Sequence, residues 1–232
     1  MNRICARVSL ATLCMLAATL VVAASSLASL TAAESSDGLK AALNQAASVA
    51  IASLGKADGF MGNPEVRIPL PGKLQKATKT LKKIGLGKQT DALTLAINRA
   101  AEAAVPEART LFIDSIKQMS VTDAMNILKG PEDAATRYFR ESMTDQLTQK
   151  FLPVVSKATA EVQLAQRYND VAGKASVLGL VDERDANLDA YVTRKALDGL
   201  FMTMAKEEAA IRKNPMGQAS SLLRKVFGAI GK

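Results

Sequence analysis

The chain has 232 residues, with 30 lysines and arginines against 22 acids, a net charge of +8 and no histidine. Both cysteines, Cys5 and Cys14, lie at the extreme N-terminus. Ser-His-Asp triads and His-containing zinc sites are therefore excluded, and beyond Cys14 no thiol is present to act as a nucleophile or form a disulfide. An aromatic content of 4% without tryptophan leaves little for base stacking, which argues against nucleic acid as a partner.

The N-terminus reads as an export signal. Arg3 and Arg7 precede an apolar run from Leu10 to Ala24, and a small-residue stretch then reaches Glu34, the first acid. Basic, apolar and small segments in that order are a secretory signal peptide. Residues 1–33 are read as the signal and 34–232 as the exported domain, with cleavage after Ala28 (Ser26-Leu27-Ala28) or after Ala33 (Thr31-Ala32-Ala33). Leu13 stands before Cys14 where a lipidation site needs a small residue. An uncleaved inner-membrane anchor is the alternative, because Val8 to Ala33 is uncharged and exceeds the ~20 residues that span a bilayer. The expected location is the periplasm. The roughly 200 residues after the signal are enough for one hydrophobic core without disulfides.

Nearly every later segment has helical periodicity, and none sustains a two-residue alternation. Leu39, Leu43, Ala46, Ala50 and Leu54 form the first stripe. A Pro/Gly loop over 55–72 comes next, in which Val66 to Pro71 should be extended because residues before proline avoid the helical region. Its apolar side chains predict that it packs over the domain. A second helix runs from about Lys73 to Ile84 and stops at Gly85-Leu86-Gly87, and a third covers Lys88 to Ala104 with Leu93, Ala96, Ile97 and Ala100 on one face. Pro106 starts or kinks the next helix, with Leu111, Phe112, Ile116 and Met119 inward.

Ser120 and Asp123 match a capping box for a short helix carrying Val121, Ala124, Met125 and Leu128, closed by Gly130. Pro131-Glu132-Asp133 opens a helix with the stripe Tyr138, Phe139, Met143, Leu147 and Phe151. Pro153 is expected to begin another toward Tyr168, and residues 173–189 to connect. A long helix with Leu197, Leu200, Phe201, Met204 and Ile211 closes at Asn214-Pro215, and a last one carries Leu222, Leu223, Val226, Phe227 and Ile230. The fold class is all-α, a single multi-helix domain of roughly eight helices after the signal.

The sharpest local chemistry is on the second helix. Leu74, Ala77, Leu81 and Ile84 share a narrow arc, and Lys73, Lys76, Lys79, Lys82 and Lys83 occupy the opposite half with no acid among them. With Lys88 they form a candidate anion-binding set, a basic amphipathic helix positioned by the loop residues Arg67, Pro69 and Pro71. Asp185 to Asp189 begins like a calcium loop but lacks the glycine and the bidentate glutamate at Ala190 and Ala196, so helix capping by Asn187 or Asp189 is the better reading. Gly85-Leu86-Gly87-Lys88 lacks the spacing of a phosphate loop. Glu141-Ser142 is similar to the catalytic pair of lytic transglycosylases, yet the Gly-Leu-Met-Gln stretch of that family is missing, which leaves Glu141 on a wet helix face. Glu102, Glu107 and Asp114 near Arg99 and Arg109 have the spacing of ordinary helical ion pairs. No metal site and no cofactor is indicated.

Longer strings resemble a known family. They are Leu54-Gly55-Lys56-Ala57-Asp58-Gly59-Phe60, Asn63-Pro64, Arg67 to Pro71, Lys83 to Gly87, Asn98-Arg99-Ala100-Ala101-Glu102, Asp133 to Phe139, Lys195 to Phe201, Glu207-Glu208 and Ile211 to Pro215. Together they resemble the bacterial family domain of unknown function 4197, from about Leu39 to Gly228. The resemblance implies an exported, mainly helical protein and carries no activity, ligand or catalytic residue.

The sequence therefore predicts a non-enzymatic envelope protein, a binding or structural factor toward an anionic membrane surface, a cell-wall polymer or a small apolar ligand. The alternative is a carboxylate-dependent hydrolase of cell-wall glycans, which requires a buried acid in a cleft. A third reading is a carrier whose nine methionines line an apolar cavity. Oligomeric state is left open.

Overall fold

The structure, a computed structural model, describes residues 31–83, 85, 87–160, 162, 163, 165, 166, 168, 169, 185–214 and 226. The signal segment up to residue 30 lies outside these residues, as does most of the expected last helix. Of that helix Val226 is described, helical and buried. The described elements are α1 (Ala32–Leu54), α2 (Gly72–Lys83), α3 (Gly87–Ala104), a 3-10 turn (Val105–Glu107), α4 (Ala108–Gln118), α5 (Val121–Lys129), α6 (Ala134–Thr159) and α7 (Leu188–Lys213). Among the described residues none forms a strand. The described residues are all-helical in class, as the periodicity predicts.

Roughly eight helices are expected from the periodicity; the expected last helix lies largely outside the described residues, and among those described Pro153 does not start a new one. It lies inside α6, on the solvent side with Gln149, whose carbonyl loses its helical partner and faces water. The buried stripe of Phe139, Met143, Leu147, Phe151, Val155 and Thr159 runs past the proline, and that burial holds the helix together. Pro106 sits in the 3-10 turn that bends α3 into α4. α1 begins earlier than its apolar stripe requires, because Thr31 and Glu34 form a complete capping box. The box at Ser120 and Asp123 is also present. Val121 is a correction: it is 45% exposed, at the first position of α5, where the helix has not yet turned toward the core.

α6 and α7 make the most extensive helix pair. α3 packs along α6, and α1 packs along α7 and crosses α4 and α5. At the centre Phe112 meets Phe139 edge-on at 5.3 Å and Phe201 at 6.4 Å, an arrangement that suits the ring quadrupoles. Phe60 of the loop enters the core against α7, where Gly199 lets it approach; a Cβ there would lie 2.7 Å from the ring. Beyond the last described residue of α2, Gly85 forms a turn with a φ of +85°, which glycine adopts readily.

Two buried carboxylates tie the segments together. Glu208 of α7 accepts the backbone N–H groups of Ala135 (3.1 Å) and Thr136 (3.0 Å) at the start of α6. Arg212, one turn further on, bonds Glu208 at 2.9 Å and donates to the Ile127 (2.9 Å) and Leu128 (3.3 Å) carbonyls at the end of α5. A carboxylate thus meets the positive end of one helix, and a guanidinium meets the negative end of the helix before it. Glu102 of α3 performs the same service for the loop. It accepts the N–H groups of Phe60 (3.0 Å) and Met61 (3.1 Å), while Arg99 bridges it to Asp58 at 2.6 and 2.8 Å.

Candidate functional site

Of the segment predicted to be extended, Arg67 to Pro71 lies outside any helix or turn, whereas Val66 ends a turn in which the Asn63 carbonyl accepts from the Val66 and Arg67 N–H groups at 3.2 and 2.8 Å. Val66, Ile68 and Leu70 are buried, and Arg67 and Pro69 between them are exposed. No neighbouring strand supplies its hydrogen bonds; side chains do. Asn98 of α3 accepts from Ile68 N–H at 2.8 Å and donates to the Ile68 carbonyl at 2.9 Å, with a further bond to Thr94. One buried amide therefore acts as a single residue of a β-ladder. Tyr191 of α7 donates its hydroxyl to the Pro69 carbonyl at 3.0 Å. Burial, with a contribution from Asp185, raises the pKa of Tyr191 above that of an ordinary phenol, which keeps it a donor in neutral solution.

Pro71 is buried, and its carbonyl accepts the Gln75 N–H at 2.9 Å, so α2 starts directly from the clamped segment. Leu74 packs against the core. Lys76 and Lys83 fall on the opposite side of the helix and are exposed, as are Lys82 and Lys88. Lys82 pairs with Asp91 of α3 at 3.0 Å, an acid that inspection of α2 alone does not reveal. Both partners are at least half exposed, so the pair contributes little to stability. The backbone of Lys73 and Lys79 lies in α2, and their side chains are outside the described residues. Arg67 is exposed without an ion pair among the described residues. It lines two shallow recesses with Pro69, one of about 340 Å³ shared with Gln75 and Thr78, the other of about 170 Å³ shared with Lys195 and Asp198.

The family model for proteins of unknown function DUF4197 matches residues 29–228. The chain belongs to the DUF4197 family. Comparison with curated proteins and with solved structures gave no match. Several residues of the strings that resemble the family hold turns in place: Asp58 and Phe60 in the loop, Asn98 and Glu102 under it, Thr136 at the start of α6, and Glu208 and Arg212 at the α5–α6 joint.

Other sequence candidates resolve into local structure. Asn187 caps α7 through the Ala190 N–H at 3.0 Å, Asp185 pairs with Arg194 at 2.7 Å, and Asp189 accepts from Thr159 at 2.6 Å, which accounts for the calcium-like stretch. Among the described residues no acidic cluster could hold a metal ion, and no helix is long and apolar enough to cross a membrane. Glu141 is exposed, as are Glu107 and Asp114. The hydrolase alternative needs a buried acid in a cleft; among the described residues the two buried carboxylates, Glu102 and Glu208, are occupied by backbone amides and an arginine, and neither lines the recesses beside Arg67 or between α6 and α7. Sequence reasoning treated Glu102 as an ordinary helical ion pair. The signal that it was more lay in its neighbours: Asn98 and Glu102 are one turn apart, so both face the same loop.

Proposed function

We propose that this DUF4197 protein is an exported envelope factor that docks on an anionic membrane surface through α2, by charge and without a reaction of its own. The observation that carries this reading is the pairing of a fixed mount with a basic face. α2 is launched from a segment clamped by Asn98 and Tyr191, turns Leu74 to the core, and presents Lys76 and Lys83 outward, with Lys88 at the head of α3 and Arg67 beside it. Because Leu74 faces inward, the contact is electrostatic at the headgroup phosphates, without insertion of an apolar stripe into the bilayer. Each lysine near a charged bilayer contributes about 1 kcal/mol, screened by salt. Sedimentation with phosphatidylglycerol-containing vesicles is therefore expected to capture the protein, and neutral vesicles or high salt to release it. Lys76→Glu, Lys83→Glu and Lys88→Glu together are expected to weaken capture about a hundredfold or more at unchanged helicity. Equal capture by neutral vesicles, or an unaffected triple variant, would defeat the reading.

Export belongs to the same proposal, and the cap of α1 favours one of its two cleavage positions. Cleavage after Ala33 would remove Thr31, break the capping box with Glu34 and place a new ammonium group at the positive end of the helix. Loss of such a cap costs about 1 kcal/mol. Cleavage after Ala28 keeps it. The N-terminus of the protein recovered from the periplasm is expected to be Ser29, and a mature chain starting at Glu34 would contradict this.

A further inference from the structure

Arg67 stands apart from most arginines of the domain. Arg99, Arg137, Arg140, Arg194 and Arg212 are each paired with a carboxylate. Arg67 is exposed and has no ion pair among the described residues, a freedom shared by Arg109, which lines neither recess beside the loop. Its backbone is nevertheless fixed. Val66 and Ile68 on either side are buried, the Arg67 N–H donates to the Asn63 carbonyl at 2.8 Å, and Asn98 holds both polar groups of Ile68. A guanidinium on a fixed base loses little freedom on binding, and its planar fork suits the oxygens of a phosphate or carboxylate.

The larger recess that Arg67 lines, about 340 Å³, lies between the extended segment and the α2–α3 pair. The loop contributes Pro69 and Leu70 to it, α2 contributes Gln75 and Thr78, and α3 contributes Thr94. Arg67 is the single charged residue among the described ones that line it. The smaller recess carries two acids, Glu65 and Asp198, beside Lys195, and is the poorer place for an anion. At the ~30 Å³ that a water occupies in the liquid, the larger recess has room for about eleven non-hydrogen atoms. A bare carboxylate or phosphate would leave most of that space to water. The lining thus describes an occupant with one negative charge and a neutral polar remainder. An ammonium group is unsuited, because no carboxylate among the described lining residues would receive it. A phosphate diester carrying a glycerol has that charge, size and polarity. Gln75, Thr78 and Lys82 follow one another along a single stripe of α2, at spacings of three and four residues, so the recess borders the basic face.

We propose that this recess takes the phosphoglycerol head group of an anionic phospholipid, with the phosphate on the Arg67 guanidinium. The α2 lysines supply the attraction to the surface, and Arg67 supplies the choice of head group. The proposal rests on the surface reading of α2 for the source of its ligand, and on the recess for the fit.

The test uses the full mature protein and dihexanoyl phosphatidylglycerol as dissolved monomers, below its micellar concentration, followed by calorimetry. Dihexanoyl phosphatidylcholine, which has the same phosphate and an added ammonium group, and inorganic phosphate are the comparisons. Saturable one-to-one binding of the phosphatidylglycerol is expected, about tenfold or more tighter than that of either comparison. Arg67→Lys keeps the charge and removes the fork, so it is expected to weaken binding about tenfold or more at an unchanged melting temperature. Gln75→Glu places an acid in the lining at an exposed helix position and should abolish binding. No saturable binding, equal affinity for phosphatidylcholine, or full affinity in Arg67→Lys would each overturn the proposal. Inorganic phosphate bound as tightly as the lipid would make a free anion the occupant and overturn the head-group assignment. Protein that binds the monomeric lipid but is not captured by phosphatidylglycerol vesicles would refute the surface reading and leave the recess standing. Capture by vesicles without monomer binding would do the opposite.

Discussion

Glu208→Ala is expected to lower the unfolding free energy by about 3–5 kcal/mol, the range for breaking one half of a buried ion pair. Glu208 is 5% exposed and serves four donors at once: the Ala135 and Thr136 N–H groups, the Thr136 hydroxyl at 3.0 Å, and Arg212. The alanine variant leaves two N–H groups at the start of α6 without a partner. It also takes the carboxylate away from a guanidinium whose side chain is 11% exposed and which otherwise reaches the Ile127 and Leu128 carbonyls. Against a total stability of about 5–15 kcal/mol for a domain of ordinary size, that is enough to unfold much of the population on modest warming. Glu208→Gln should lose less, because its amide oxygen can still accept from the helix start. Urea titrations of both variants, with the slope checked against the parent, measure the difference. A Glu208→Ala midpoint equal to that of the parent would show that the α5–α6 joint is held by packing alone.

The helices were legible because their apolar stripes face one core. The stripe of α1 and that of α7 are buried residue for residue, and the box of Ser120 and Asp123 marks the start of α5 from four letters. The break at Pro153 was not legible, since a proline ends a helix only where burial does not continue past it. Here Val155 and Thr159 continue the inward face, and the freed Gln149 carbonyl is open to water. The decision was made by tertiary packing, which local propensity does not contain.

Of the candidate site, the lysines of α2 and the extended loop could be read from the chain, and their mount could not. Asn98 is 30 positions from Ile68 and Tyr191 is 122 from Pro69, so no window of sequence shows that they meet. Asp91 was likewise outside the helix whose charge was being counted.

Asn98→Ala is expected to cost about 2–6 kcal/mol, one unsatisfied buried donor and one acceptor at about 1–3 kcal/mol each. Asn98 is fully buried, and both polar groups of Ile68 depend on it. Asn98→Asp should be at least as harmful. It keeps an acceptor for the Ile68 N–H but turns a carboxylate toward the Ile68 carbonyl, 2.9 Å away in the parent, and buries a charge without a cation. The two effects on function should separate. Freed from its clamp, the segment from Arg67 to Pro71 no longer fixes the direction in which α2 leaves it, yet every lysine is still present. Attraction to a charged bilayer acts within about a Debye length, ~8 Å at physiological salt, and has little directionality, so vesicle capture by folded Asn98→Ala should drop only a few-fold, far less than on reversing the lysines. Cleavage by protease within 55–72 should rise in step with the lost stability, because the loop then opens without the rest of the domain. If capture instead falls as far as in the lysine variant, orientation and not charge governs docking, and the surface contact must be a shaped one in which the recesses beside Arg67 take part.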